Sequence, residues 1–269
     1  MLTVGLSAYS KSDASYFKDC MDSIYHSQKL KPNKIFITYD GYVSVEIEKL
    51  VVSYQNERLP IKIFRNSENQ GLTVVLNEMI SKCDTKYFAR MDTDDISEPE
   101  RFNEQINFLE NNTAVDILGT CGVDIDKNNQ ILGHRKVPTE FEDIRKLLPL
   151  LNPVIHPSVV FRTKSIKKIG GYNTKYRTSQ DYALWFESIA QGLIIHNLTT
   201  SLIRYRTDKN YQDRKGWNYR YNDIKIKWEG IPKIDKRIRV RAYALVPLLV
   251  YLIPSTLFRT LKNLDPRNL

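Results

Sequence analysis

Cysteine is scarce in this chain of 269 residues: Cys20, Cys83 and Cys121 are scattered, and none belongs to a Cys-x-x-Cys pair. That argues against a disulfide framework and a structural zinc site, and it fits a reducing compartment. No Gly-x-Gly-x-x-Gly follows the first apolar run, so the dinucleotide-binding fingerprint is missing. No glycine lies between Ala8 and Ser15, where a sugar-nucleotide pyrophosphorylase would need a glycine-rich triphosphate loop. The amino end, MLTVGLSAYS, has no basic region leading into a long apolar stretch, so a buried strand rather than a signal peptide is expected there. Internal repeats and low-complexity tracts are absent, and a long uncharged apolar run appears only near the end, from Ala242 to Phe258.

With 42% hydrophobic and 26% charged residues, the chain has material for a full core. Its net charge of +9 is unevenly spread. Residues 1–208 carry 26 Lys plus Arg against 26 Asp plus Glu, whereas 209–269 carry 14 against 5. The whole excess sits in the last quarter, which points to a basic patch facing an anionic surface. Two domains are expected: 1–208, and a basic, apolar extension over 209–269.

Strand and helix patterns alternate through the first 110 residues. Leu2 to Ala8, Lys34 to Asp40, Ile61 to Arg65 and Lys86 to Met91 read as strands. Between them, Phe17, Cys20, Met21, Ile24 and Tyr25 share one helical face after the capping pair Ser12-Asp13. Ser44 opens a second helix, Leu72 to Met79 marks a third, and Glu100 to Glu110 a fourth. This is the α/β pattern of a mainly parallel sheet flanked by helices, with ligands bound at the carboxyl ends of its strands. The second half is less regular. Val115 to Asp126 reads as a strand entering the turn KNNQ, Thr139 and Glu142 as a capping box, and His156 to Arg162 as a strand. Gln180 to Gln191 reads as a helix, and 194–197 and 202–206 as two strands.

Arg90-Met91-Asp92-Thr93-Asp94-Asp95 is the sharpest chemical signal. Three carboxylates in four residues repel one another, and a divalent cation relieves that cost; hard oxygen ligands suit Mn²⁺ or Mg²⁺. In an extended segment Asp92 and Asp94 point to the same side. A solvated acidic turn is the plain alternative, and the position after a hydrophobic fourth strand weighs against it. Asp181, at the start of a helix, is a cap by default; paired with the acidic cluster it is a candidate general base.

At this point the order SAYSK, YDG, NQGLTVVLNEMI, ARMDTDD, NPVIHPSVVFR, GGYNTKYRTSQDYALW and LIRYR resembles the inverting family-two glycosyltransferases of the GT-A fold that build bacterial surface polysaccharides. The resemblance spans about residues 2–206. It implies a nucleotide-sugar donor, with UDP the commonest nucleotide of the family, and a lipid-linked saccharide acceptor. Tyr9 and Asp40 would contact the nucleobase, Asn69 and Gly71 would line the nucleotide pocket, and Arg90 would lie near the nucleotide. Asp92 and Asp94 match the metal-binding DxD, and Asp181 matches the base. His156, Gln180, Trp185 and Arg206 are the candidates for acceptor or diphosphate contacts, with a packed structural role the other reading of His156. Gln180 stands where the family has Glu, and Thr207-Asp208 follow Tyr205-Arg206 where a histidine is frequent. The Gln180 departure is what favours the alternative of a non-catalytic member that binds nucleotide sugar or scaffolds a membrane assembly.

Arg237, Arg239 and Arg241 precede the apolar run, and Arg259 and Lys262 follow it. Pro247 and Pro254 interrupt it, so an interfacial or re-entrant segment on anionic lipid is expected rather than a straight spanning helix. A terminal helix packed on protein is the other reading. Apolar neighbours favour lipid over nucleic acid as the partner of the basic residues. These features place the chain on the cytoplasmic face of a bacterial inner membrane.

Overall fold

The structure is a computed structural model that describes residues 1–207 and 217–245. The first half alternates strictly: β1 (Leu2–Ala8), α1 (Ala14–Ile24), β2 (Lys34–Asp40), α2 (Val45–Asn56), β3 (Ile61–Asn66), α3 (Leu72–Lys82) and β4 (Tyr87–Arg90). The first two helices begin where their caps predict. The Asp13 carboxylate accepts from the Ser15 and Tyr16 N–H groups, and the Ser44 hydroxyl accepts from the Ile47 N–H. All four strands pair in parallel in the order β3-β2-β1-β4. Alternate strand residues feed opposite layers. Leu2, Val4, Leu6, Tyr87 and Ala89 pack with α1 and α2, while Phe36 and Phe88 pack with α3 on the other face.

The second half turns the sheet mixed. It comprises β5 (Ile96–Ser97), α4 (Arg101–Asn111), β6 (Val115–Ile125), β7 (Ile131–Arg135), α5 (Phe141–Leu147), β8 (Val160–Arg162), α6 (Thr163–Lys168), α7 (Gln180–Ala190) and β9 (Ile194–Arg206). β8 lies antiparallel to both β4 and β6, β6 runs parallel to β9, and β5 and β7 add antiparallel edges. Three sequence expectations are corrected, and one strand is added to them. The two strands expected over 194–206 are one, because β6 pairs along its whole length, with register shifts around Cys121. His156–Ser158 is a 3₁₀ turn and only Val160–Arg162 is strand; Pro157 cannot donate to a ladder. The Thr139–Glu142 box does not form: Glu140 is the N-cap of α5 and makes no side-chain cap bond. A strand, β7, follows the KNNQ turn, in which Asn129 takes a φ of 65°.

Residues 217–245 form α8 (Trp217–Ile234), α9 (Ile238–Arg241) and a 3₁₀ turn at Ala242–Leu245. Ile226, Ile231, Ile234 and Ala244 are buried in the same core layer as Trp185 and Phe186 of α7. This part of the extension therefore packs on the α/β body. No helix among the described residues is long and apolar enough to cross a membrane. The rest of the expected apolar segment, residues 246–258, lies outside the described residues.

Candidate active site

The carboxyl ends of β1, β2, β3 and β4 open on one edge of the sheet. Tyr9 leaves β1, Asp40 ends β2, the 66–71 loop leaves β3, and Arg90 leads from β4 into the acidic loop.

In that loop one oxygen each from Asp92, Asp94 and Asp95 lies within 4.8 Å of the others. Burial, then the charges of Asp92 and Asp94, lifts Asp95 well above the carboxylate range. One of its oxygens accepts from the Arg206 N–H at 2.8 Å, and the other is buried without a hydrogen-bond partner. Asp94 faces solvent on its outer side, but shielding of the carboxyl and the Asp92 charge raise it to about 6. Three crowded carboxylates, two with raised pKa values and one with an orphaned oxygen, fit a divalent hard cation such as Mn²⁺ or Mg²⁺. Asp92 and Asp94 were expected as ligands; Asp95 joins them in geometry, anchored from behind.

Cations buttress this loop from below. Arg90 is 3% exposed and donates to Asp92 through Nη2, while its Nε and Nη1 have no partner. Burial alone would lower its pKa; Asp92, then Tyr172 and Asp95, overcompensate and raise it. Arg101 is fully buried and donates to the Arg90 carbonyl at 3.0 Å; burial lowers its pKa to about 9. The Cys20 thiol donates to the Asp92 carbonyl at 3.2 Å. Sequence reasoning missed Arg101 and Cys20, since each is one member of an ordinary amphipathic helix.

Arg206 is corrected. It was a candidate for the diphosphate, yet its guanidinium is already committed. Nε donates to the Asp94 carbonyl at 2.8 Å, Nη1 to the Asp126 carbonyl at 2.8 Å, and Nη2 to Asn129 Oδ1 at 2.7 Å. The guanidinium also sits 4.0 Å from the Tyr16 ring centroid. It is a strut that ties the acidic loop to the β6–β7 turn.

Asp181 lies in the first turn of α7, and its carboxylate accepts from Asn152 Nδ2 at 2.6 Å. Burial raises its pKa, against the Asn152 bond, the Tyr182 N–H and Arg90. The charge of Arg90 favours the ionised form of both Asp94 and Asp181. Gln180, beside it, is buried. Of two acceptor candidates, Trp185 is corrected and His156 takes its structural reading. Trp185 is fully buried and packs on Phe161. His156 is a packed histidine: Nε2 hydrogen-bonds the Tyr172 hydroxyl at 2.7 Å, and its ring meets Trp185 edge-on. Burial, then Arg90, holds its pKa well below the usual range, so it is neutral. Both side chains are packed in the interior of the second layer.

At the nucleotide end, Asp40 is 3% exposed and holds the 66–71 loop. Its oxygens accept from the Gln70 N–H (2.8 Å), the Gly71 N–H (2.9 Å) and Asn66 Nδ2 (3.0 Å). These donors order the loop beside which its contact with a nucleobase was expected. Tyr9 and Asn69 are exposed at the rim. Gly71 has φ +91°, a conformation that favours glycine, and a Cβ there would sit 3.4 Å from the guanidinium of Arg177. The exposed Arg177 lies in the turn before α7, so this rim is built from both halves of the chain.

Comparison with known proteins shows the family and the fold. Residues 3–170 match the family model described as glycosyl transferase family 2. The amylovoran biosynthesis glycosyltransferase AmsE of Erwinia amylovora is 30% identical over 98% of this chain and 99% of its own. An Escherichia coli protein named UDP-Gal:alpha-D-GlcNAc-diphosphoundecaprenol beta-1,3-galactosyltransferase is 30% identical over 84% of this chain and 82% of its own. Among solved structures, S. aureus TarS 1–349 in complex with UDP-GlcNAc superposes with a TM-score of 0.69 at 13% identity, covering 95% of this chain and 76% of that one. That likeness shows the fold, the GT-A architecture.

Proposed function

We propose, from the premise that this chain belongs to glycosyl transferase family 2 and is a glycosyltransferase, that it moves a sugar from a UDP-sugar to a hydroxyl of a lipid-linked saccharide in bacterial polysaccharide synthesis. The observation that carries this reading is the cluster of Asp92, Asp94 and Asp95 at the carboxyl end of β4, and the half-buried carboxylate of Asp181, held by Asn152, supports it. The carboxylates of Asp92 and Asp94, backed by Asp95, would hold Mn²⁺ or Mg²⁺, which when bound neutralises charge growing on the departing diphosphate. Tyr9, Asn69 and Gly71 line the rim where the nucleotide would lie. Asp181 takes the proton of the acceptor hydroxyl as that oxygen bonds to the anomeric carbon and the bond to the diphosphate oxygen breaks, with inversion. Asn152 orients the Asp181 carboxylate, and burial keeps it a stronger base than an exposed aspartate.

The donor and acceptor classes are supported by the names of relatives: one protein named as acting on a diphosphoundecaprenol-linked sugar, and a neighbour seen with UDP-GlcNAc. The test is mass spectrometry of products from a panel of nucleotide sugars offered with polyprenyl-diphosphate-linked saccharides. A product from UDP-sugars alone supports the reading. Turnover only with another nucleotide, or only on free sugars, replaces the donor or the acceptor.

Such an acceptor lies at a membrane surface, and the outer face of the C-terminal helices suits one. Ile238 is 86% exposed, with Trp228, Tyr243 and Leu245 also exposed, beside Lys236, Arg237, Arg239 and Arg241. Each such cation near anionic lipid contributes on the order of 1 kcal/mol, and buried apolar carbons add to it. The full-length chain is expected to float with anionic vesicles, more weakly at high salt. Arg239→Glu with Arg241→Glu and Ile238→Asp should weaken flotation while leaving the fold intact. Equal flotation of the triple variant would remove this surface from the proposal.

A further inference from the structure

The turn that delivers Asp181 is an unusual piece of backbone. Ser179, the residue before α7, sits in the left-handed region at φ 55° and ψ 24°, and it gives the helix no side-chain cap bond. A non-glycine residue there is strained and persists only where surrounding contacts hold it. Thr73 of α3 holds the Tyr176 carbonyl at 2.7 Å, and the other contacts come from α8. The Ser179 hydroxyl donates to Asp223 Oδ1 at 2.7 Å. Asn222 Nδ2 donates to the Thr178 hydroxyl at 2.8 Å, and the Tyr176 hydroxyl donates to Glu229 Oε2 at 2.9 Å. Lys227, 4% exposed, reaches from the same helix to the Leu150 carbonyl at 2.7 Å, two residues before Asn152, the partner of Asp181.

The two helices are pressed together. A Cβ on Gly230 would fall 2.5 Å from the Phe186 ring, so α8 can lie this close to α7 only with glycine there. The helix is thus a clamp along both approaches to Asp181: the 176–179 turn on one side and the 150–152 segment on the other. The family match ends at residue 170, ahead of Asp181 and of α8. Nothing in the chemistry of sugar transfer by itself calls for these contacts.

We propose that α8 is a positioning element for the base, and that Asp223, through Ser179, sets where the Asp181 carboxylate meets the acceptor hydroxyl. The proposal rests on the assignment of Asp181 as base. Helix α8 leads directly into the exposed basic and apolar surface of 236–245, so the element that would meet lipid is the one that fixes the base.

Asp223 also acts through charge. Arg90 from β4 favours the ionised form of Asp181 and Asp223 from α8 disfavours it; Asp181 in turn acts on Tyr172 and Tyr182. Removing the Asp223 charge should therefore let Asp181 ionise at lower pH.

The test uses the full chain and three variants, Asp223→Ala, Asp223→Asn and Asp181→Asn, read by UDP release from the donor that the wild type turns over and by calorimetry with UDP and Mn²⁺. Asp223→Ala loses the acceptor for Ser179 and should lower kcat about tenfold or more, since misplacement on the ångström scale costs rates of this order. Its affinity for UDP with Mn²⁺ should stay within about twofold of the wild type, because the Ser179 hydroxyl that Asp223 holds is no part of the acidic loop. Asp223→Asn keeps an oxygen for Ser179 and should recover most of kcat, with the acid limb of the kcat profile moved to lower pH. A purely structural role would move thermal stability and leave that limb in place. An inactive Asp181→Asn with wild-type kcat and acid limb in both Asp223 variants would overturn the clamp alone. An Asp181→Asn protein with wild-type turnover would overturn the base assignment and the clamp with it.

Discussion

Asp94→Ala is expected to abolish the Mn²⁺- or Mg²⁺-dependent part of UDP binding while leaving the fold intact. The substitution is clean because the loop is held by other atoms. The Asp94 carbonyl, not its carboxylate, accepts from Arg206; Asp95 accepts from the Arg206 N–H; and Cys20 and Arg101 hold the backbone ahead of it, at Asp92 and Arg90. Loss of a direct ligand should cost about 10²-fold or more in metal-supported affinity, at or beyond the range seen for outer-shell partners. The sign of the pH dependence follows from the raised pKa of Asp94, about 6. A bound cation needs the ionised carboxylate, so metal-dependent affinity should be full above that value and decline as pH falls through it. Calorimetry with UDP, with and without Mn²⁺, across pH 5 to about 8 measures both effects. Unchanged metal-dependent affinity in the variant would sink the assignment of the acidic loop.

Asp181→Asn should lower kcat by about 10²-fold or more, the scale of general-base catalysis, with UDP affinity nearly unchanged. An asparagine keeps the size of the side chain and an oxygen for Asn152 Nδ2, so the α7 turn should survive. What it loses is the ability to take a proton. Burial raises the Asp181 pKa, so the acid limb of the wild-type kcat profile should lie above that of an ordinary carboxylate, and the variant should lose that limb altogether. Measured on the full chain, wild-type turnover in Asp181→Asn would mean the proton goes elsewhere. Loss of UDP binding together with turnover would instead mean that Asp181 serves the donor site.

The amino-acid sequence by itself determined the first half of the molecule. Period-two and helical patterns from Leu2 to Arg90 are local, and parallel strands joined by helices admit few topologies, so β1 to β4 and the caps Asp13 and Ser44 stand where the pattern put them. It also determined the acidic loop, because three adjacent carboxylates after a buried strand are visible without any long-range contact. Tertiary structure alone decided which polar residues face the site. Arg206 and His156 carry motif-grade side chains, yet the nearest partners of Arg206 are the Asp94 and Asp126 carbonyls, and that of His156 is the Tyr172 hydroxyl. Trp185 went to the core because α7 turns that side chain onto Phe161 of β8 and His156. The supports of the site, Arg101 beneath Arg90, Asn152 on Asp181 and Asp223 on Ser179, join residues 11, 29 and 44 positions apart. Local periodicity carries no record of such pairs: a hydrogen bond across that separation is fixed by how the layers stack, and stacking is settled only when the whole core closes.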